Sequence, residues 1–356
     1  MNMKVLHTYC LNYNIGDYAL GIGVKNLLRN YLKIDFIANT NLQGRVFDEY
    51  YINEVINTKY DLLVIGGGGI IHGAHWPNGW FWLIKQELIK TIKIPFIVYG
   101  IGNNYFFSEA PMPEKTLPHL LETYKNAAFF SVRNDGSYER ILEQTGLNAI
   151  EVPDPGFHVS LNTTYRNIID SPYVIIQLAN DKTEYRFGNS NNKDQFISSM
   201  RKIVIWLSKH YHVLFAPHVF DDIALSKIIM EGVSNCSIWD FGYLAFDHSE
   251  IAVGYYKYAE FVLAMRGHGQ ILPIGFCVPV VSLANHPKND GLMKKIGLEQ
   301  YIVNILDINF EKVLIDKIKL IEFERISLVK KLEDINKTLF AQTNKAFELI
   351  KEIVVF

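Results

Sequence analysis

Several things are scarce in this sequence, and each scarcity removes a class of protein. Cysteine occurs three times in 356 residues, at Cys10, Cys236 and Cys277. An odd number at such distances gives no disulfide framework, and reduced thiols of a cytosolic protein are the expectation. Charge of one sign is also missing, because 35 basic and 37 acidic residues leave a formal charge of −2. Nucleic acid is therefore not an expected partner, since its binders carry a basic face. No run of about 18 or more apolar residues is long enough to span a bilayer. The stretch from Met1 to Asn14 lacks the charged start and apolar core of a signal peptide. A cytoplasmic location is expected, and peripheral contact with the inner membrane face is left open.

Familiar site motifs are equally scarce. His72/His75 and His210/His212 are paired, but no cysteine or HExxH pattern joins them, so no catalytic metal is expected. The glycine run Gly66–Gly69 does not fit G-x-G-x-x-G, because Ile71 stands at the third glycine's position, and no G-x-x-x-x-G-K-[ST] occurs. The run is either a tight strand exit, where glycine takes positive φ freely, or a cradle of backbone amides around Gly67 and Gly68 for an anion.

What is present is alternation. Apolar runs of strand length at Met3–Cys10, Asp61–Ile65, Pro95–Asn104 and Ala128–Val132 end in turns, and segments of helical spacing follow, among them Trp80–Ile92. Polar residues and prolines then accumulate, placing a domain boundary near 160–172. The alternation resumes with Tyr173–Asp181, a helix over about Lys193–Lys209, His212–His218, a strand before Arg266, and "VPVVSL" as the last strand. From Glu311 onward, Leu328, Leu332, Ile335, Leu339, Ala346 and Ile350 repeat at helical spacing. The pattern predicts an α/β fold of two Rossmann-like domains, residues 1–165 and 166–335, with a C-terminal helix over 336–356 packing back on the first. A cleft between them is expected to be lined by loops at the carboxyl ends of the strands.

The candidate site residues fall at such ends: Asn14, Asp17, Gly67, Gly68, Arg133, His218, Arg266 and His268. "AMRGHGQ" sets a guanidinium and an imidazole where a buried strand meets a helix. An arginine there needs an anionic partner, and no acid lies between Phe261 and Leu283, so that partner comes from elsewhere in the fold or from a ligand. Arg133 precedes "NDGS", whose Asp135 or Ser137 is a candidate cap. His218 precedes Asp221 and Asp222, also candidate caps. His72 and Trp76 lie in an aromatic loop suited to stacking on a sugar or to core packing.

In order, "NIGDYAL", "DLLVIGGGGI", "VYGIGNN", "SVRNDGS", "VPDPGF", "LFAPHVFDD", "MRGHGQILPIGFCVPVVSL" and "KNDGLMKKIGL" resemble the polysaccharide pyruvyl transferase family. Its R-x-H-G element is present with Gly267 where many members carry a bulky apolar residue. The resemblance implies a GT-B-like arrangement and transfer of pyruvate from phosphoenolpyruvate to two hydroxyls of a hexose. The acceptor would be a surface polysaccharide or its lipid-linked precursor, the product a cyclic ketal, and phosphate would be released without a further cofactor. It places Arg266, Arg133, His218 and Lys288 at the donor, with His268 as acid or phosphate contact and Asp17 as base, as partner of the acceptor hydroxyl, or as a residue fixing the first loop. Asn14, Gly67, Gly68, His72 and Trp76 are left for the acceptor or an anion. A GT-B nucleotide-sugar glycosyltransferase and a non-catalytic glycan-binding subunit are the competing readings.

Overall fold

A computed structural model describes residues 3–71, 77–104, 112, 114–159, 169–246, 248–284 and 286–354. His72, Trp76 and most of the expected boundary lie outside the described residues. The chain divides into two compact units. The first comprises Met1–Asn12, Leu20–His158 and Thr338–Phe356, and the second Tyr13–Ala19 and Val159–Lys337.

The strands of the first unit are β1 (Lys4–Tyr9), β2 (Phe36–Asn41), β3 (Val46–Phe47), β4 (Leu62–Ile71), β5 (Leu83–Ile84), β6 (Phe96–Asn103), β7 (Phe129–Arg133) and β8 (Ile150–Val152). Six of them form one parallel sheet in the order β2-β1-β4-β6-β7-β8, and β3 pairs with β5. Leu62, Leu63, Val64 and Ile65 are all fully buried, as a sheet covered on both faces requires. Each such side chain contributes about 1.5–3 kcal/mol by leaving water.

Strand β4 does not stop at its glycines, contrary to the expected closure after Ile65. It runs through Gly66–Gly69 to Ile71, with a register shift against β6 between Gly68 and Ile71. Gly66, Gly67 and Gly68 take φ of +128°, +79° and +99°, a path that side-chain-bearing residues rarely follow. A Cβ at Gly66 would lie 2.5 Å from the Tyr99 carbonyl oxygen, and one at Gly67 would touch Leu20 and Val24. Positive φ thus accounts for all three glycines, and the close approach of Tyr99 adds a steric reason at Gly66. Trp80–Ile92 is not one helix either. Strand β5 occupies its centre, the helix covers only Gln86–Ile89, and Trp80 and Trp82 are buried edge to face at 5.9 Å.

The second unit holds β9 (Tyr173–Gln177), β10 (His212–Phe215), β11 (Cys236–Ile238), β12 (Val262–Ala264), β13 (Val280–Ala284) and β14 (Ile302–Asn304). They form a parallel sheet in the order β11-β10-β9-β12-β13-β14. Counted within the unit this is 3-2-1-4-5-6, the doubly wound order whose direction reverses between β9 and β12. "VPVVSL" becomes β13 rather than the last strand, because the short β14 follows it. The helix Ser190–Leu207 is started by Asn189, whose side chain accepts from the Asn192 amide. Its buried Phe196, Met200, Ile203, Val204 and Leu207 follow helical spacing.

The long helix Arg325–Val354 is counted with the second unit up to Lys337 and with the first from Thr338. Ala346, Phe347, Ile350 and Val354 join a core cluster with Val5, Val24, Leu62, Ile97 and Tyr99. Phe347 stacks on Tyr31 at 4.8 Å, and His158 Nε2 lies 2.9 Å from Thr343 Oγ1.

Candidate functional site

The carboxyl ends of β9, β10 and β12 carry a dense polar cluster in the second unit. Its organiser is Asp222, the wholly buried first residue of the helix Asp222–Met230. Its Oδ2 accepts from the amides of His218 (3.1 Å) and Val219 (3.2 Å), and its Oδ1 from that of Asn180 (3.1 Å). It also takes both sides of the Arg266 fork, Nε at 2.8 Å and Nη2 at 2.6 Å. One carboxylate thereby ties three strand-end loops together.

Arg266 extends β12 and is the N-cap of the helix Gly267–Gly275. Its own amide donates to Gln177 Oε1 at 2.7 Å, across the point where the strand order reverses. Its Nη2 also donates to Asp181 Oδ1 at 2.5 Å. Asp181 in turn accepts from Arg186, through Nη2 at 2.9 Å to the carboxylate and through Nε at 2.8 Å to the backbone carbonyl. Burial works against charge on Arg266, but Asp222 and Asp181 outweigh it and raise its pKa. Burial would raise the Asp181 pKa, and Arg266 with Arg186 reverses that and lowers it. Burial brings Arg186 down to about 10 despite Asp181. The anion that "MRGHGQ" called for is therefore supplied by the protein, 44 and 85 residues away in sequence.

His268, in the first turn of Gly267–Gly275, packs over Gly16. A Cβ built on Gly16 would lie 2.4 Å from His268 Nδ1 and 2.8 Å from its Cγ. Gly16 opens the helix Ile15–Leu32, whose start is shaped by Asn14: its Oδ1 accepts from the Gly16 amide at 2.9 Å and its carbonyl from Tyr18. The Ile15 amide donates to the His218 carbonyl at 3.1 Å. Asp17 lies in the first turn, where a carboxylate complements the helix dipole. On the other side of the loop, a Cβ on Gly267 would stand 3.6 Å from Lys288 Cε. Asn289 Nδ2 donates to the Met265 carbonyl at 2.6 Å. The first amides of Gly267–Gly275 belong to a helix start, which leaves N–H groups available to an anion.

Six predicted residues, Asn14, Asp17, His218, Arg266, His268 and Lys288, thus meet in the second unit. Two of them act differently from expectation. His218 is 1% exposed, its Nε2 is 2.6 Å from the Tyr256 hydroxyl, and its ring stacks on Trp239. Burial, reinforced by Arg266 and His268, holds its pKa well below the usual value, which favours the neutral ring over the cation expected at the donor. Arg266 is not an empty clamp but the centre of an ion-pair network. Arg133 belongs to the first unit and is 3% exposed, with Asp135 at 2.6 Å from Nε and Asp154 at 3.2 Å from Nη1. Those carboxylates outweigh burial and raise its pKa. Both carboxylates are the protein's own, and Arg133 lies in the first unit, apart from the residues gathered in the second. Gly67 and Gly68 lie in β4 of the first unit, where their positive φ suits glycine.

Asp181, Arg186, Gln177, Tyr256 and Asn289 were not singled out from sequence. Only Asp222 carried a signal, as a helix-start acid after "APHVF". Among the described residues, no group of three or more His, Cys, Asp or Glu is placed to hold a metal ion, and no helix is long and apolar enough to cross a membrane.

Solved structures with the same architecture define the class. A putative UDP-N-acetylglucosamine 2-epimerase from Listeria monocytogenes is 12% identical, with a TM-score of 0.58 over 93% of this chain and 91% of that one. The UDP-GlcNAc 2-epimerase of Methanocaldococcus jannaschii is 14% identical, with a TM-score of 0.54 over 89% and 92%. The glycosyltransferase SnogD from Streptomyces nogalater is 9% identical, with a TM-score of 0.53 over 98% and 99%. The chain is an α/β protein with parallel sheets whose structural neighbours are GT-B-fold epimerases and glycosyltransferases. A comparison with curated proteins found no match. The polysaccharide pyruvyl transferase family model matches residues 14–287, and the chain belongs to that family.

Proposed function

We propose that the protein transfers pyruvate from phosphoenolpyruvate to two hydroxyls of a hexose, in a surface polysaccharide or its lipid-linked precursor. The reading rests on one observation beyond family membership: His268 stands at a helix start on the sheet's reversal point, against the first turn of Ile15–Leu32, and its neighbour Gly267 lies beside Lys288. Such a place joins an imidazole, a group that can donate or accept a proton, with amides and an ammonium suited to an anionic donor. Protonation of the donor's methylene carbon makes C2 electrophilic, and one sugar hydroxyl adds there. Phosphate then departs and the second hydroxyl closes the ketal. Of the two hydroxyl protons, one balances the new methyl group and the other leaves with phosphate.

In this reading His268 serves the proton transfer, while Lys288 and the first amides of Gly267–Gly275 face the donor's charge. Asp17 is the base candidate for the acceptor hydroxyl. Peripheral contact with a membrane bearing the acceptor is compatible with it.

The test is phosphate release from phosphoenolpyruvate with candidate lipid-linked saccharides as acceptors. Release with formation of a pyruvylated saccharide is the expected result. His268→Ala should lower turnover about 10²- to 10⁴-fold, and a drop below tenfold removes His268 from the chemistry. Consumption of a UDP-sugar instead, with phosphoenolpyruvate untouched, would overturn the proposal. Saccharide binding without any turnover would leave a glycan-binding protein.

A further inference from the structure

The cluster at Arg266 contains two carboxylates of unequal standing. Asp222 is fully buried and holds three backbone amides in addition to the guanidinium. Asp181 has 30% of its side chain exposed and holds no such hub. Its Oδ1 is shared between Arg266 Nη2 and Arg186 Nη2, while Arg186 keeps a separate bond to the Asp181 carbonyl. Asp181 can therefore release Arg266 and remain paired to Arg186. Asp222 has no comparable alternative, because leaving Arg266 would strand a guanidinium against a carboxylate fixed by three amides.

The charges within this foursome cancel: two guanidinium groups against two carboxylates. A multiply charged anion approaching Arg266 meets a site already neutralised by the protein. We infer that Asp181 is a resident stand-in for the substrate anion, occupying Arg266 Nη2 in the free protein and ceding it to a carboxylate or phosphate oxygen on binding. Donor affinity is then set by a competition, and Asp181 is the residue that sets it. The exchange keeps Arg266 protonated and bidentate to Asp222 throughout, so no buried charge is exposed while the site is empty. An incoming anion replaces one carboxylate with another acceptor of like charge, which favours a compact anion over a neutral ligand.

The inference rests on the donor reading above for the identity of the anion, and its experiment separates the two. Inorganic phosphate is titrated calorimetrically into the wild-type protein, Asp181→Asn and Asp181→Ala, with melting temperatures recorded alongside. A carboxylate in direct contact with a cation shifts its partner's equilibrium by about one to three powers of ten. For a carboxylate exposed to this extent, phosphate should bind about tenfold more tightly to both variants. The KM for phosphoenolpyruvate should fall in parallel while kcat changes less. A merely structural Asp181 predicts the reverse: a lowered melting temperature, with anion binding unchanged or weakened. Unchanged or weaker phosphate binding in folded variants, or no phosphate binding by any of the three proteins, overturns the inference. Tighter phosphate binding with phosphoenolpyruvate untouched by the wild type would retain the stand-in and reject only the donor reading.

Discussion

Gly16→Ala separates the needs of the site from those of the fold. Gly16 is the second residue of a helix and does not have positive φ, so alanine suits its backbone. Exchange of glycine for alanine within a helix gains roughly 0.5–1 kcal/mol. Against that, the new methyl would lie 2.4 Å from His268 Nδ1, 2.8 Å from Cγ and 3.0 Å from Cβ. Ordinary contact begins at 3.4 Å, so the ring must retreat by 3.4 − 2.4 = 1.0 Å. Rotation about the side chain does not relieve the contact at Cβ. Overpacking of this kind costs about 1–3 kcal/mol, leaving a net loss of stability of at most about 2.5 kcal/mol. A displacement of about 1 Å in a reacting group, by contrast, can cost about 10²-fold in rate. The assay pairs a thermal melt with phosphate release from phosphoenolpyruvate. A near-native melt with kcat reduced about a hundredfold is expected. Wild-type kcat in a folded Gly16→Ala protein would refute the placement of His268 at the chemistry.

Asp222→Asn removes the charge facing a buried Arg266 and should destabilise the protein by about 3–5 kcal/mol, read as a lower urea midpoint; a midpoint equal to wild type refutes its organising role. Arg266→Lys keeps the charge but not the two-pronged bond to Asp222, and should lose most activity with a smaller drop in stability. Burial lowers His7 to about 3, and His119 and His158 to about 4. Below pH 6.5 the unfolded chain therefore takes up protons that the folded chain refuses, and stability falls as pH drops. The expected slope is about 1.4 kcal/mol per pH unit for each histidine. Equal urea midpoints at pH 7 and pH 5 would contradict it.

The doubly wound character was legible because strands buried on both faces read as unbroken apolar runs, as in "DLLVI" and "YVIIQ". The order of those strands was not, since β9 lies between β10 and β12 through pairings that span the chain. Glycines misled where packing outweighed turn chemistry: Gly66–Gly69 look like a strand's end but allow the strand to pass Tyr99 and the helix Ile15–Leu32. Trp80–Ile92 has helical spacing, yet the pairing of β5 with β3 and the burial of two tryptophans override it. At the site, the sequence pointed to the cations and to the loops that carry them. It could not show that Asp181 and Asp222 already satisfy Arg266, because charge complementarity across 44 or 85 residues leaves no local periodicity. Asp17 stood out as the titratable member of its loop, while its neighbour Gly16, which carries no chemistry of its own, leaves the room that His268 needs.

The membership of Ala346, Phe347 and Ile350 in the core around β1 and β4 has a consequence for synthesis. Translation passes β1 before the sheet β9–β14 and reaches these three residues after it, so the unit begun earlier is finished later. Until the final turns emerge, Val5, Leu62 and Tyr99 lack part of their apolar cover, while the sheet β9–β14 is already complete. The nascent amino-terminal half is thus the portion that needs shielding longest.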